Sequence, residues 1–539
     1  MKTLLIGINS KYIHPAMGIY QIYANSKFSV SYCEFTVKDK IQSIIDFINK
    51  ENYDLLGFSV YIWNTEIIEK IIGSLPEKYL IILGGPEASH RSQDFFTFNN
   101  VHYIIKGEGE EAFNKLIDML VNNKSITTVP NLYYRTKTGF KYTFSKAPVI
   151  NKIKHDLTLI KDFKNRYAYL ESSRGCCFNC SYCLASLERT IRYFPIDKVI
   201  AEINYLLNQK TKTIKFLDRS FNINQNRMRE ILRYIIENDN QYTVYQFEIV
   251  GDYFEKETIA LIKTIRKGLI RFEIGIQSTN PTVNKAINRQ QNFEEIKKNI
   301  ALIKNNIVIH VDLIAGLPYE NHQSFIKTFN DTYLLDVEEI QLGFLKELKG
   351  TKISATKAAH EYLFNDKPPY QVIKNKYITG NELTELSNVE AVLNKYHNTG
   401  NFRRTLSYLF KEKQLNPYYT FLKISQYIAG TKINSYQHWQ IAQILYLSLK
   451  KEIKEEQRLL FLIKQDYLLK DNIRPKIWWD PIISKKEKAN IFLLFIDKYP
   501  ELNLNILYRY SQLERYHNQY FLITYKPKKH YFLNLKQSD

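Results

Sequence analysis

The chain reads as an α/β protein in three parts: a Rossmann-like doubly wound parallel sheet, a partial (β/α)6 barrel of the TIM type, and a mostly α-helical carboxyl-terminal domain. Three observations predict this. Short apolar runs alternate strictly with amphipathic stretches through residues 1–125, six strand–helix units follow from about Tyr167, and after Gly350 the pattern turns to Tyr-, Leu- and Lys-rich helical stretches. At 539 residues the chain exceeds one core. The expected divisions are 1–125, a linker and hairpin at 126–165, the barrel at 166–358 and the helical domain at 359–539.

The first strands are expected at Thr3–Ile8, Val30–Val37, Asp54–Tyr61, Leu80–Leu83 and Tyr103–Ile105. Between them lie stretches such as Ile41–Asn49, apolar at 41, 44, 45 and 48, the spacing of one helix face. Turns gather at the carboxyl ends of these strands, at Gly57-Phe58-Ser59, Gly84-Gly85-Pro86 and Gly107-Glu108-Gly109-Glu110, and ligands of such sheets bind at that edge. Residues 130–148 form a hairpin turning at Lys137-Thr138-Gly139. The barrel strands are expected at Ala168–Ser172, Ile214–Leu217, Tyr245–Val250, Arg271–Ile276, Ile307–Ile314 and Glu339–Phe344, with the active site at their carboxyl ends.

Composition excludes several classes. Hydrophobic residues at 45% and charged residues at 24% describe a globular chain. No run approaches the roughly 18 apolar residues of a membrane helix, and the apolar opening after Met1 is too short for a signal peptide. Five cysteines fit a reducing compartment, so a cytoplasmic location is expected. The net charge of +20 is spread along the chain; residues 371–539 hold 27 basic against 15 acidic residues without any compact nucleic-acid motif. A nucleic-acid partner is therefore disfavoured, since charge alone is weak evidence.

Four of the five cysteines lie in Cys176-Cys177-Phe178-Asn179-Cys180-Ser181-Tyr182-Cys183. Zinc would need a fourth ligand, and no second Cys/His pair lies nearby. A Cys177/Cys180 thiol couple leaves Cys183 unexplained. Cys176, Cys180 and Cys183 as ligands of an iron–sulfur cluster, with one iron left open, account for all three spacings.

Arg174-Gly175-Cys176-x-x-x-Cys180-x-Tyr182-Cys183 after a first barrel strand resembles the signature of the radical SAM superfamily. The resemblance implies a [4Fe-4S] cluster on Cys176, Cys180 and Cys183, with S-adenosylmethionine chelating the fourth iron and yielding a 5′-deoxyadenosyl radical. It implies an external electron donor such as flavodoxin or ferredoxin. It puts Tyr182 near the adenine, Asp218 of Phe216–Asn222 at the methionyl end, and Glu273, Gln277 and Ser278 at the ribose. Val311–Pro318 would lie against the adenine. Cys177 is a bystander in this reading.

The first domain resembles the cobalamin-binding domain of one class of that superfamily, which implies cofactor contacts at Asn9, Ser59, Gly84, Gly85 and Glu108. No D-x-H-x-x-G motif is present, and His14 is not expected to ligate cobalt. The resemblance implies methyl transfer to an unactivated carbon of a small or unknown substrate. Radical rearrangement or cyclisation without methyl transfer is the first alternative. A non-catalytic basic protein that binds nucleic acid or a partner is the second. A methylthiotransferase is disfavoured because its first domain would carry three cysteines, and here only Cys33 is present.

Overall fold

The computed structural model describes residues 1–146, 148–431 and 437–535. The expected first strands are present as β1 (Thr3–Asn9), β2 (Val30–Thr36), β3 (Leu55–Ser59), β4 (Leu80–Gly84) and β5 (Val101–Ile105), parallel in the order β2-β1-β3-β4-β5. Their alternating side chains serve two cores. Leu4, Ile6, Leu56, Phe58 and Ile81 pack on the helices Ile41–Asn49 and Thr65–Ser74, and Leu5, Leu55, Ile82 and Ile105 pack on Met17–Asn25 and Glu110–Val121. Strand order reverses at β1, which opens a crevice over the carboxyl ends of β1, β3 and β4.

The hairpin expected as a linker module instead extends this sheet. Its strands β6 (Leu132–Thr136) and β7 (Gly139–Tyr142) add antiparallel to β5, covering an edge that would otherwise expose unpaired backbone.

The barrel strands are β8 (Ala168–Leu170), β9 (Thr213–Phe216), β10 (Val244–Ile249), β11 (Ile270–Gln277), β12 (Val308–Ala315) and β13 (Glu339–Phe344), neighbours in sequence order. The registers from β8 to β12 are all parallel. Ile214, Phe216, Tyr245, Phe247, Ile270, Phe272 and Ile274 are buried, while alternate positions hold Lys215, Gln246, Glu248, Arg271 and Glu273, which are only half-buried. The barrel is thus apolar on one face and polar on the other.

Two compact units emerge: residues 1–325 with 343–380, and 326–342 with 381–539. The first therefore reaches past the expected boundary at 358. Its segment 343–380 is strapped down from three sides. Tyr370 Oη accepts from Arg91 Nη1 at 2.7 Å and donates to Glu87 at 3.0 Å, Ile353 N donates to Ser181 O at 2.9 Å, and Tyr362 Oη donates to Gly316 O at 2.8 Å.

The second unit is mostly helical, as expected, with helices that include Pro417–Ala429, His438–Leu449 and Glu456–Lys470. It also holds a three-stranded antiparallel sheet, β14 (Ser511–Tyr516), β15 (Gln519–Tyr525) and β16 (Lys528–Asn534), which the sequence analysis did not anticipate. Among the described residues no helix is long and apolar enough to cross a membrane.

Candidate functional site

The cysteine loop leaves the barrel directly after β8. Gly175 begins it with φ of +96°, a conformation that L side chains rarely adopt, and the Thr190 carbonyl fills the space where a Cβ would go. Backbone bonds then pin the loop: Cys176 N to Glu188 O at 2.9 Å, Ser181 N to Ile287 O at 2.9 Å, and Ser186 Oγ to the carbonyls of Cys180 and Cys183 at 3.0 and 2.6 Å. Cys176 and Cys180 are buried and Cys183 is half-buried, while Cys177 is exposed. Burial pushes the Cys176 and Cys183 thiols up.

The loop fits a cluster better than a single ion. A tetrahedral zinc would draw its sulfurs to about 3.8 Å from one another. Among the described residues, the only group of three potential ligands within 4.8 Å is Glu273, His310 and Asp312, not the cysteines. Thiols clustered on one loop but spaced more widely suit one iron each.

Glu273, His310 and Asp312 form a compact polar group. An arginine can only donate, so the contact of Arg271 Nη2 with His310 Nδ1 at 3.2 Å leaves the proton on Nε2, which faces Asp312 Oδ1 at 3.2 Å. A metal would need that Nε2 lone pair. Glu273 also accepts from Gln246 Nε2 at 2.7 Å.

Other candidates divide sharply. Gln277 is buried at φ of +66°, its Nε2 folded over Gly275, and its Oε1 is buried with no partner among the described residues, which fits a contact to a bound ligand. Ser278 does not fit: it is fully buried and its Oγ donates to Glu320 at 2.6 Å. Asp218 is buried too, and its carboxylate accepts from Ser172 N, Ser172 Oγ and Ser173 Oγ at 2.8, 2.7 and 2.6 Å. The structure gives it the task of orienting the strand end that leads into the cysteines. Tyr182 Oη accepts from Arg289 Nη1 at 3.2 Å.

Facing the loop, the carboxyl ends of the first sheet border a cavity of about 860 Å³. Ser59, Gly84, Gly85 and Glu108 line it from one side, and Arg174, Leu184 and Leu187 from the other. Gly85 has φ of +91°, and Val60 O lies where its Cβ would stand, so the backbone itself forms this wall. A Cβ on Gly84 meets nothing within 4 Å.

Asn9 does not line this cavity. Its Nδ2 donates to Glu34 at 2.9 Å, and Glu34 takes a two-pronged ion pair from Arg166 at 2.9 and 3.1 Å. Burial opposes the charge on Glu34, but Arg166, Tyr20, Asn9 and the Ala16 amide hold its carboxyl below the usual range. The loop after β1 docks on the barrel: Tyr167 N donates to Ile13 O at 3.0 Å, and His14 Nδ1 contacts Tyr169 Oη at 2.6 Å.

Glu108 lines the cavity but is engaged by two arginines, Arg192 and Arg174, the latter at 3.4 Å. Arg174 also pairs with Glu110 and Glu171 at 2.8 Å each, and His155 lies between Glu171 and Glu202. Sequence reasoning missed this network because single Arg and Glu residues have no local signature.

Three family descriptions match along the chain: "B12 binding domain" at residues 3–117, "Radical SAM superfamily" at 170–332 and "Protein of unknown function (DUF4080)" at 358–522. The uncharacterised methyltransferase PH0819 of Pyrococcus horikoshii is 23% identical over 374 residues, 64% of this chain and 79% of that protein. The cobalamin-dependent radical SAM methyltransferase TokK of Streptomyces tokunonensis is 27% identical over 301 residues, 50% of this chain and 44% of that protein. In fold, the chain resembles the cobalamin-dependent S-adenosylmethionine radical enzyme OxsB, solved with aqua-cobalamin and S-adenosylmethionine, with a TM-score of 0.61 at 14% identity over 93% of this chain and 81% of that one. The fold also resembles the radical S-adenosylmethionine methyltransferase TsrM of Kitasatospora setae, solved with cobalamin and a [4Fe-4S] cluster, with a TM-score of 0.56 at 15% identity over 69% of this chain and 79% of that one. The chain belongs to the radical SAM superfamily, as an enzyme of the class in which a B12-binding domain precedes the barrel.

Proposed function

We propose that this enzyme transfers a methyl group to an unactivated carbon of a small molecule. The observation that supports this most is the shared cavity: one wall is the glycine-rich edge of the first sheet and the other is the cysteine loop. The chemistry supplied by the bound cofactors is removal of a hydrogen atom from carbon and delivery of a methyl group in its place.

The chain's own residues hold and orient. Cys176, Cys180 and Cys183 would each hold one iron, leaving the fourth for the amine and carboxylate of S-adenosylmethionine. Gln277 Oε1 would accept a hydrogen bond from that ligand and Tyr182 would pack beside it, and Ser59, Gly84 and Gly85 would admit the corrin. The segment 343–380 and the Arg174 network would keep the two walls together. A one-electron donor of flavodoxin or ferredoxin type and a cytoplasmic location belong to this proposal.

The test uses enzyme purified without oxygen, S-adenosylmethionine with a deuterated methyl group, a chemical reductant and small-molecule extracts. A product three mass units heavier than its protonated-methyl counterpart, formed with 5′-deoxyadenosine, is expected. Turnover to 5′-deoxyadenosine with an unlabelled product would instead establish rearrangement or cyclisation.

Gly84→Leu tests the cobalamin wall. Because a side chain there enters open cavity rather than protein, the variant should unfold at the wild-type temperature yet bind added corrin at least about tenfold more weakly. Equilibrium dialysis beside a thermal melt reads both, and undiminished corrin binding would remove the cavity from this role.

A further inference from the structure

Arg289 follows the short helix Pro281–Ala286, and its guanidinium is engaged on every side. Nε donates to Gln291 Oε1 at 2.7 Å, Nη2 donates to the Gly275 carbonyl, and Nη1 reaches Tyr182 Oη at 3.2 Å and Cys180 Sγ at 3.9 Å. None of these partners is a carboxylate. Three arginines near the loop each have one: Arg174 has Glu171, Arg192 has Glu108, and Arg219 has Glu248 at 3.0 Å.

A guanidinium stays charged at any pH a protein survives, and a charge withdrawn from water needs a counter-charge. Of the groups touching Arg289, two can become anions, a phenol and a thiol. The phenol ionises only near pH 10 in the ordinary case, whereas a cysteine that holds metal does so as the thiolate. Cys180, a thiolate whenever it holds metal, is the partner that supplies a counter-charge to Arg289.

We propose that Arg289 is the built-in counter-charge of the cysteine site, donating to Cys180 Sγ and setting the reduction potential of the cluster those thiolates hold. This rests on the cluster reading above. The physical reason is direct. Reduction adds one negative charge to the metal group, and a fixed positive charge beside one of its sulfur ligands favours the reduced form. A hydrogen bond to that sulfur acts in the same direction by withdrawing electron density from iron. Arg289 makes the cluster easier to reduce, and so lets a mild one-electron donor start the reaction. It is a positioning residue for charge, since it contacts the sulfur of Cys180 and Tyr182 rather than the reacting atoms.

The experiment is a redox titration of the cluster followed by electron paramagnetic resonance, on enzyme purified without oxygen, with iron and sulfide counted per chain. S-adenosylmethionine is omitted, so that any contact of Arg289 with that ligand does not contribute. Arg289→Gln should lower the equilibrium constant for reduction about tenfold, which is about 59 mV more negative for one electron. Arg289→Lys, which keeps the charge, should stay within about threefold of wild type. Tyr182→Phe removes a neutral partner and should leave the potential unchanged.

Arg289→Gln with full iron and sulfide at the wild-type potential would overturn the proposal, as would a Tyr182→Phe shift of equal size. If Arg289→Gln loses the cluster while Arg289→Lys retains it, the counter-charge role is supported. If both lose it, the side chain serves packing and the proposal falls. Wild-type enzyme without iron and sulfide would instead defeat the cluster reading itself.

Discussion

Cys180→Ala, purified without oxygen and supplied with iron and sulfide, should retain less than about one iron per chain and form no detectable 5′-deoxyadenosine. A cluster held by three thiolates cannot survive on two when nothing nearby replaces the third. The structure sharpens the comparison, because Cys177 is adjacent in sequence yet exposed, while Cys180 is buried and pinned through Ser186 and Arg289. Cys177→Ala should keep its iron and its activity within about twofold. Iron and sulfide analysis with product chromatography checks both variants. A Cys177→Ala protein as empty as Cys180→Ala would mean that the ligand set has been misread.

Arg174→Ala should destabilise the first unit by about 3–5 kcal/mol, the cost of leaving buried charges without their partner. Arg174 stands between Glu110 and Glu171 at 2.8 Å and Glu108 at 3.4 Å, and its side chain is only 12% exposed. Denaturant unfolding reads the loss, and Arg174→Lys should recover part of it, since an ammonium keeps the charge without the planar fork. A loss below about 1 kcal/mol would reduce the network to the standing of surface pairs.

The same network sets an acid limb. Burial opposes the charge on Glu171, but the bond to His155 and the charge of Arg174 hold its carboxyl down at about 2, against an ordinary 4.5. A carboxyl depressed on folding contributes stability that is fully present above its unfolded pKa and is lost as pH falls through the folded one. Wild-type stability should therefore fall between about pH 4.5 and 2, and Arg174→Ala should fall less steeply there because that stabilisation is already gone. Identical slopes would show that Glu171 is not held by Arg174.

The strands were legible because their signal is local. Residues such as Leu4, Leu5 and Ile6 lie in a short continuous apolar run that only a strand buried on both faces accommodates, and the structure places them within a residue or two of expectation. The cysteine loop was legible for the same reason, since three cysteines within eight residues form their own pattern. The hairpin was visible as a hairpin but not as part of the sheet, because β5's need for an edge partner appears only once the strands are ordered in space. The C-terminal strands around Gln519–Tyr525 were hidden among Tyr- and Leu-rich stretches whose short apolar runs do not separate strand from helix.

Polar side chains divide along the same line. Asn9, Glu108, Asp218 and Ser278 all sit at strand ends where a ligand contact is reasonable, yet Glu34, Arg174 with Arg192, the Ser172–Ser173 pair and Glu320 engage them first. Gln277 and the glycines Gly84 and Gly85 escape this: the first has a buried oxygen with no partner among the described residues, and the glycines have no side chain to be engaged.

By itself, then, the amino-acid order determined the succession of parallel strands, the cysteine loop and the superfamily, because each is written in residues a few positions apart. Only the tertiary structure decided which charges neutralise one another, which walls share the cavity, and that Arg289 meets Cys180 rather than a carboxylate. Those outcomes depend on contacts between residues dozens to more than a hundred positions apart, where a polar side chain is claimed by whichever partner the folded chain brings within hydrogen-bond reach.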